Sequence, residues 1–314
     1  MQKERGNCLQ SASHSLRLMG ASITLTIFHE NAQELLLQSE QLLHLYKNRF
    51  SANDADSELM EINFQAGKNA VRVHPDLFEL IELGKKHSIA MNSHLNIAIG
   101  PLVQTWRIGF SDAKLPSKKE IQTLLQITNP EDIVLDHSKQ EVYLSKVGMR
   151  IDLGALAKGY IADKLKEFLE EQGVQSGMIN LGGNILTIGE NPIYQRPWRI
   201  GIQNPILNRG EHVAVIAISD ASVVTSGIYE RQLVVDGKTY HHIFDRKTGY
   251  PMETEVASLT IVAKKSVDCE IWTTRLFGQN PYDIIEEIEQ QPGLEAFVIT
   301  KNQKMMYTSG IQFV

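Results

Sequence analysis

The chain has 314 residues, 42% of them hydrophobic, and a net charge of −6. That is enough apolar material for one large core or two small ones. The acidic balance, without any Lys/Arg-dense block, excludes the basic footprint of a nucleic-acid binder; no run of about 18 apolar residues offers a membrane span; and Cys8 and Cys269 have no metal-ligand spacing.

The N-terminus lacks the apolar centre of a signal peptide, and no apolar stretch precedes Cys8 as a lipoprotein signal requires. Residues 1–17 read as a flexible segment and 18–314 as a single domain, with a cytoplasmic location expected. The alternating, β-branched run MGASITLTIFH predicts a strand over 19–29. Helical spacing of Leu35, Leu36, Leu42, Leu43 and Tyr46 predicts a helix over 31–50. Further helices are expected at 57–64, 75–91, 101–110 and 118–126, with short strands at 133–136 and 141–144.

The segment LGALAKGYIADKLKEFLEEQG predicts an amphipathic helix, with Asp152 as its N-cap and Gly173 as its stop. Strands are then expected at 177–181, 184–189, 198–203, 213–219, 231–235, 240–244 and 257–263. Helices at 267–278 and from Pro281, and strands at 295–300 and 304–307, complete the chain. Helices gather early and strands late, the pattern of an α+β protein rather than an alternating βαβ one.

Four segments hold residues suited to chemistry. In IDLGALAKGYIAD (151–163), a helix start offers unpaired N–H groups to a phosphate, and Lys158 stands one turn in. An ordinary capped helix with a solvated lysine fits the same pattern. In INLGGNILTIG (179–189), paired glycines mark a bulge, a close backbone approach or a plain hairpin. In YHHIFDRKTGYP (240–251), adjacent histidines on a strand point to opposite faces, so only one can enter a given site. In VDCEIWTTRLFG (267–278), Glu270 and Thr274 share a helix face as hard oxygen groups suited to magnesium, or as a solvated face.

The order of these stretches is more specific than any one of them. MGA (19–21), RFSANDADSELMEIN (49–63), NIAIGPLVQTWRIGF (96–110), IDLGALAKGYIAD, INLGGNI, WRIGIQNP (198–205), TSGIYER (225–231), YHHIFDRKTGYP and the Glu270–Thr274 helix together resemble the ApbE family, the FAD:protein FMN transferases, over about residues 18–308.

The resemblance implies a T-fold-like α+β architecture of antiparallel sheets and flanking helices, with FAD in a cleft and Mg2+ at its pyrophosphate. By motif, Asp152 and Lys158 correspond to FAD contacts, and Ala155 to a metal ligand through its backbone carbonyl. Glu270 and Thr274 correspond to side-chain metal ligands, with Thr273 adjoining. Met19, Asn53, His94, Leu95, Asn96, Ile243 and Phe244 fall where relatives line the flavin or adenine pocket. His242 matches the histidine tied to transfer, so His242 and Lys158 are the expected catalytic pair.

The implied reaction links FMN through a phosphoester to a Thr or Ser of an acceptor flavoprotein and releases AMP. An FAD pyrophosphatase giving FMN and AMP, and a non-catalytic FAD-binding protein, are the alternatives. Four positions depart from the family pattern: Glu270 stands for an Asp, Asn53 for an aromatic residue, LNIA for FDxT, and DRKTG for DPxTG.

Overall fold

The computed structural model describes residues 10–208 and 210–314. It opens with a hairpin. Strands β1 (Ser11–Leu18) and β2 (Ala21–Phe28) pair antiparallel, closed by Met19 and Gly20 at φ 52° and 71°. Two successive left-handed residues make the tight turn whose twist suits a hairpin. Three expectations are corrected here. The strand expected over 19–29 starts at Ala21, Met19 is a turn residue, and residues 11–17 are strand rather than flexible chain. Cys8, with the rest of 1–9, lies outside the described residues. The polar face of β1 hides it in sequence: Ser13 and Ser15 spend their hydroxyls on Thr26 and Thr24 across the ladder, at 2.8 and 3.1 Å.

Helix α1 (Ala32–Phe50) buries Leu35, Leu36, Leu43 and Tyr46 along one face. The Ser57 side chain accepts from the Met60 N–H and so starts α2 (Glu58–Phe64). A short β3 (Val71–Arg72) leads to α3 (Pro75–Ser88), which ends before the expected 91. Helix α4 (Gly100–Trp106) also stops early, because Arg107 turns left-handed at φ 53°. A capping box between Ser117 and Glu120 opens α5 (Lys118–Leu125). Strands β4 (Ile133–Asp136) and β5 (Glu141–Leu144) join β3 in a small sheet.

Helix α6 (Ala157–Glu171) is followed by β6 (Gly177–Leu181) and β7 (Asn184–Ile188). The paired glycines between these strands are a hairpin turn, at φ 70° and 100° for Gly182 and Gly183. β8 (Trp198–Gln203) and β9 (His212–Ile218) form a separate hairpin. β10 (Ser222–Gly227) lies where no strand is expected from the sequence. β11 (Gln232–Val235) and β12 (Lys238–His241) form another hairpin, so the strand expected over 240–244 ends at His241. The chain closes with β13 (Val256–Ala263), α7 (Ser266–Leu276), α8 (Pro281–Glu289), β14 (Leu294–Thr300) and β15 (Met305–Tyr307).

The main sheet has eight strands in the order β1-β2-β6-β7-β10-β13-β14-β15, antiparallel at every step. The two-residue period of each strand sorts its side chains onto two faces. Ile23, Leu25, Ile27, Leu186 and Ile188 pack under α1, α3 and α6, while Val224, Leu259 and Val298 pack under α7 and α8. The neighbours Val223, Phe297 and Ile299 point the other way, onto Trp198, Ile200 and Ile216 of the β8–β9 hairpin. Helices therefore flank one face of an antiparallel sheet, as an α+β reading requires. Cys269 is a buried free thiol whose S–H reaches the Ser222 carbonyl at 3.5 Å. No described helix is long and apolar enough to cross a membrane.

Candidate active site

The site is built where α6 meets the start of α7. Gly159 makes this approach possible. A Cβ there would lie 2.6 Å from the Ser266 carbonyl oxygen and 2.8 Å from Glu270 Cγ. One turn along α6, the Asp163 carboxylate accepts from the N–H groups of Ser266 and Val267 at 2.7 and 2.9 Å. These are among the orphan donors at the start of α7, so Asp163 caps one helix from another. Burial pushes the Asp163 carboxyl up to about 6, and the two donors pull it back down.

With the helices locked together, Lys158 on α6 reaches Glu270 on α7, Nζ to Oε1, at 3.4 Å. Glu270 is buried, and a buried carboxylate needs partners to offset lost hydration. Its second partner is Asn184 at the start of β7, whose Nδ2 donates to the same oxygen at 3.0 Å. Both distances are to Oε1, and no described residue hydrogen-bonds Oε2. The Thr274 hydroxyl and the Ala155 carbonyl likewise have no hydrogen-bond partner among the described residues. Thr273, in contrast, is fully buried and donates back to the Glu270 carbonyl at 3.0 Å.

Asp152 is not the N-cap of α6. That position is Leu156, and the helix start carries no side-chain cap. Asp152 instead accepts from the Gly154 N–H at 2.8 Å and holds the turn before the helix. The turn displaces the helix start to Ala157, whose N–H donates to the Leu153 carbonyl at 2.8 Å, and the N–H groups of Lys158 and Gly159 in the first turn have no main-chain partner among the described residues. Burial raises the Asp152 carboxyl, against the pull of the Gly154 N–H and the Arg231 charge.

The two histidines part just past β12. The His241 ring is buried, donates to the Met252 carbonyl at 2.9 Å and accepts from the Ile243 N–H at 3.3 Å. His242 keeps a buried Nδ1 with no partner. Burial first, then the Arg231 guanidinium, holds His242 down at about 4; the Lys158 charge pushes the same way, and the Arg231 main chain works against them. His242 is therefore neutral near pH 7 and feels the charge of Lys158.

The other expected pocket residues divide. Asn53 is exposed and accepts from Gln104 Nε2 at 3.1 Å. Met19 is half-buried at the tip of its hairpin. His94 is half-buried beside the end of α7, where a Cβ on Gly278 would come within 2.8 Å of its ring, and burial lowers its pKa. Leu95 lies in the core. Asn96 spends both ends of its amide, donating to the Thr128 carbonyl at 2.8 Å and accepting from the Ala98 N–H at 2.9 Å. Phe244 packs on Trp106 with ring centroids 5.7 Å apart, and Ile243 packs against the core under α7 and α8. The side chains of Leu95, Asn96 and Phe244 thus serve packing and capping.

Three residues given no role in the sequence reading matter here: Asn184, Asp163 and Arg231. Each lies inside a stretch quoted above. Asn184 and Asp163 have a signal in hindsight, as polar residues set within apolar runs that need a partner when buried.

The ApbE family model matches residues 19–298. The chain belongs to the ApbE family. This ApbE chain is 39% identical over 298 residues to a FAD:protein FMN transferase of Klebsiella pneumoniae (strain 342), across 95% of this chain and 92% of that one. It is 33% identical over 294 residues to the FAD:protein FMN transferase of Treponema pallidum (strain Nichols), across 90% and 79% of the two chains. Its ApbE fold matches the crystal structure of the ApbE protein of Thermotoga maritima with a TM-score of 0.88 at 24% identity, over 96% and 97% of the two chains.

Proposed function

We propose that this ApbE chain is a FAD:protein FMN transferase, splitting the FAD pyrophosphate and joining FMN by a phosphoester bond to a Thr or Ser of an acceptor flavoprotein. The observation that carries this reading is the Lys158–Glu270 contact across α6 and α7, at 3.4 Å. It places a cation, an acid and the uncapped start of a helix at one point, which suits a pyrophosphate. The names of the Klebsiella and Treponema relatives support the same activity.

The donor set also fits Mg2+. Glu270 Oε2, the Thr274 hydroxyl and the Ala155 carbonyl are hard oxygens with no hydrogen bond from the described residues. These three residues would hold the ion. When bound, Mg2+ supplies positive charge that offsets the pyrophosphate and the charge growing on the leaving group.

The chain's own residues do the rest. The Lys158 ammonium and the N–H groups left free in the first turn of α6 bind the phosphate oxygens and hold them in place. The acceptor hydroxyl oxygen attacks the FMN-side phosphorus, the bond from that phosphorus to the bridging oxygen breaks, and AMP leaves with the bridging oxygen. The hydroxyl proton passes to the neutral ring of His242.

Incubating the protein with FAD and Mg2+, with and without an acceptor flavoprotein, and resolving the products by mass tests the proposal. Acceptor carrying FMN supports transfer. FMN and AMP in equal yield without acceptor points to hydrolysis, and intact FAD in both tubes reduces the protein to a flavin binder.

A further inference from the structure

Glu has one more rotatable bond than Asp, so a buried Glu270 needs something to select which oxygen it offers and in which direction. The structure contains such a device. Asn184 is the first residue of β7 and shares a face with Leu186 and Ile188, which pack into the core on the helix side. It is 1% exposed. Its Nδ2 donates to Glu270 Oε1 at 3.0 Å, and its Oδ1 accepts from the Ser266 hydroxyl at 2.8 Å. The Ser266 hydroxyl lies 2.9 Å from the Ser222 hydroxyl, whose single proton is shared with the Ile185 carbonyl at 2.8 Å. Both serines are fully buried.

The donor and acceptor inventory fixes this chain in one direction. An ionised carboxylate only accepts, so Asn184 must present its NH2 to Glu270 and its carbonyl to Ser266. Ser266 cannot drift, because its own N–H is held by Asp163. Two strands and two helices therefore converge on one amide, and that amide grips one oxygen of one carboxylate. With its donor end on Glu270 and its acceptor end on Ser266, the buried amide is held in one orientation.

We infer that Asn184 is a positioning residue that pins Glu270 through Oε1 and so leaves Oε2 as the oxygen offered to a divalent cation. The inference rests on the metal role of Glu270 in the function proposed above. Residues that orient a metal ligand typically change metal affinity by about 10–100-fold when removed.

The test uses the full chain without FAD and Mn2+ as the probe, with binding read from loss of the free-ion electron paramagnetic resonance signal. Urea midpoints report folding in parallel. Wild type should bind, Glu270→Gln should lose binding, and Asn184→Ala should bind at least about tenfold more weakly with its urea transition still cooperative. In a Glu270→Asp background the shorter acid no longer reaches Asn184, so adding Asn184→Ala should change little further. If Asn184→Ala does not fold, Ser266→Ala decides: it frees the amide without touching Glu270 and should also weaken Mn2+ binding.

Wild-type affinity in Asn184→Ala, or in Ser266→Ala where that variant decides, alongside lost binding in Glu270→Gln, overturns the positioning role and leaves the metal reading intact. A Glu270→Gln variant that binds Mn2+ as well as wild type overturns both.

Discussion

Lys158 and Glu270 meet across two helices at 3.4 Å, the lysine 30% exposed and the glutamate 6% exposed. The exposures divide the labour. The acid is fixed in the interior, whereas the ammonium, on a flexible stem, can turn to an incoming phosphate. Removing a charge that stabilises a transition state commonly costs about 3–4 kcal/mol. Lys158→Ala is therefore expected to slow flavin transfer about a hundredfold or more in single-turnover assays, with FAD binding reduced far less. A rate within threefold of wild type would remove Lys158 from the chemistry.

Glu270 itself is tested by its two shorter relatives. On the proposed metal role, Glu270→Ala removes a ligand and leaves Asn184 without its acceptor, so transfer should collapse and not be restored by excess Mg2+. Glu270→Asp keeps the charge but loses the reach to Asn184, and should raise the Mg2+ concentration for half-maximal rate with partial activity retained. Identical Mg2+ dependence in Glu270→Ala and wild type would exclude Glu270 as a ligand.

As the proposed proton acceptor, His242 would give the reaction a pH signature. An acceptor of protons is active when neutral, and burial holds its pKa near about 4. The acid limb of kcat/KM, which reports the free enzyme, should then break well below the usual histidine value of about 6.5, and His242→Asn should abolish it. A break at 6.5 in wild type would contradict the buried, neutral ring.

Stability follows the same sign. A histidine whose folded pKa is depressed contributes stability that is present above about 6.5 and is lost as pH falls toward the folded value. His87, held near about 4 by burial and by the Arg275 charge, adds to the effect. The melting temperature should fall steadily between pH 6.5 and 4, and less so in a His87→Asn variant. A flat melting curve across that range would refute this.

Much of the site was legible in the sequence because it lies in local motifs. Helix starts, helix faces and strand alternation raise Lys158, Glu270 and the histidine pair as candidates, each beside a bland alternative, and it is the order of the motifs, as in the ApbE family, that chooses among them. What could not be read was long-range. Asn184 is 86 residues from Glu270, and Asp163 is 103 residues from Ser266. No local period reports such pairings. β10 escaped for a related reason: it is buried between β7 and β13, so its SVVTSG run shows no alternation of polar and apolar faces. Asp152 was misread because an acid before an apolar run has the same pattern whether it caps a helix or the turn in front of one.

Asp163 is the tie between the two helices. Asp163→Ala leaves the N–H groups of Ser266 and Val267 unpaired in a partly buried place, at a cost of about 1–3 kcal/mol. Its urea midpoint should drop accordingly, and transfer should fall with it, since Glu270 is carried by the same helix. A variant that lost activity with no loss of stability would point to direct contact with substrate instead.

Gly159→Ala sets two effects against each other. In a helix interior the change from glycine usually gains about 1 kcal/mol from propensity. Here the new Cβ would meet the Ser266 carbonyl at 2.6 Å and Val267 Cα at 2.7 Å, both main-chain atoms that cannot rotate aside. Overpacking of this sort costs about 1–3 kcal/mol, so the balance is expected to be destabilising. Relief requires α6 and α7 to move apart, which lengthens the Lys158–Glu270 contact. Gly159→Ala should therefore lower the urea midpoint and raise the Mg2+ requirement of transfer together. If it were more stable than wild type with an unchanged Mg2+ requirement, close helix contact at Gly159 would not be what assembles the site.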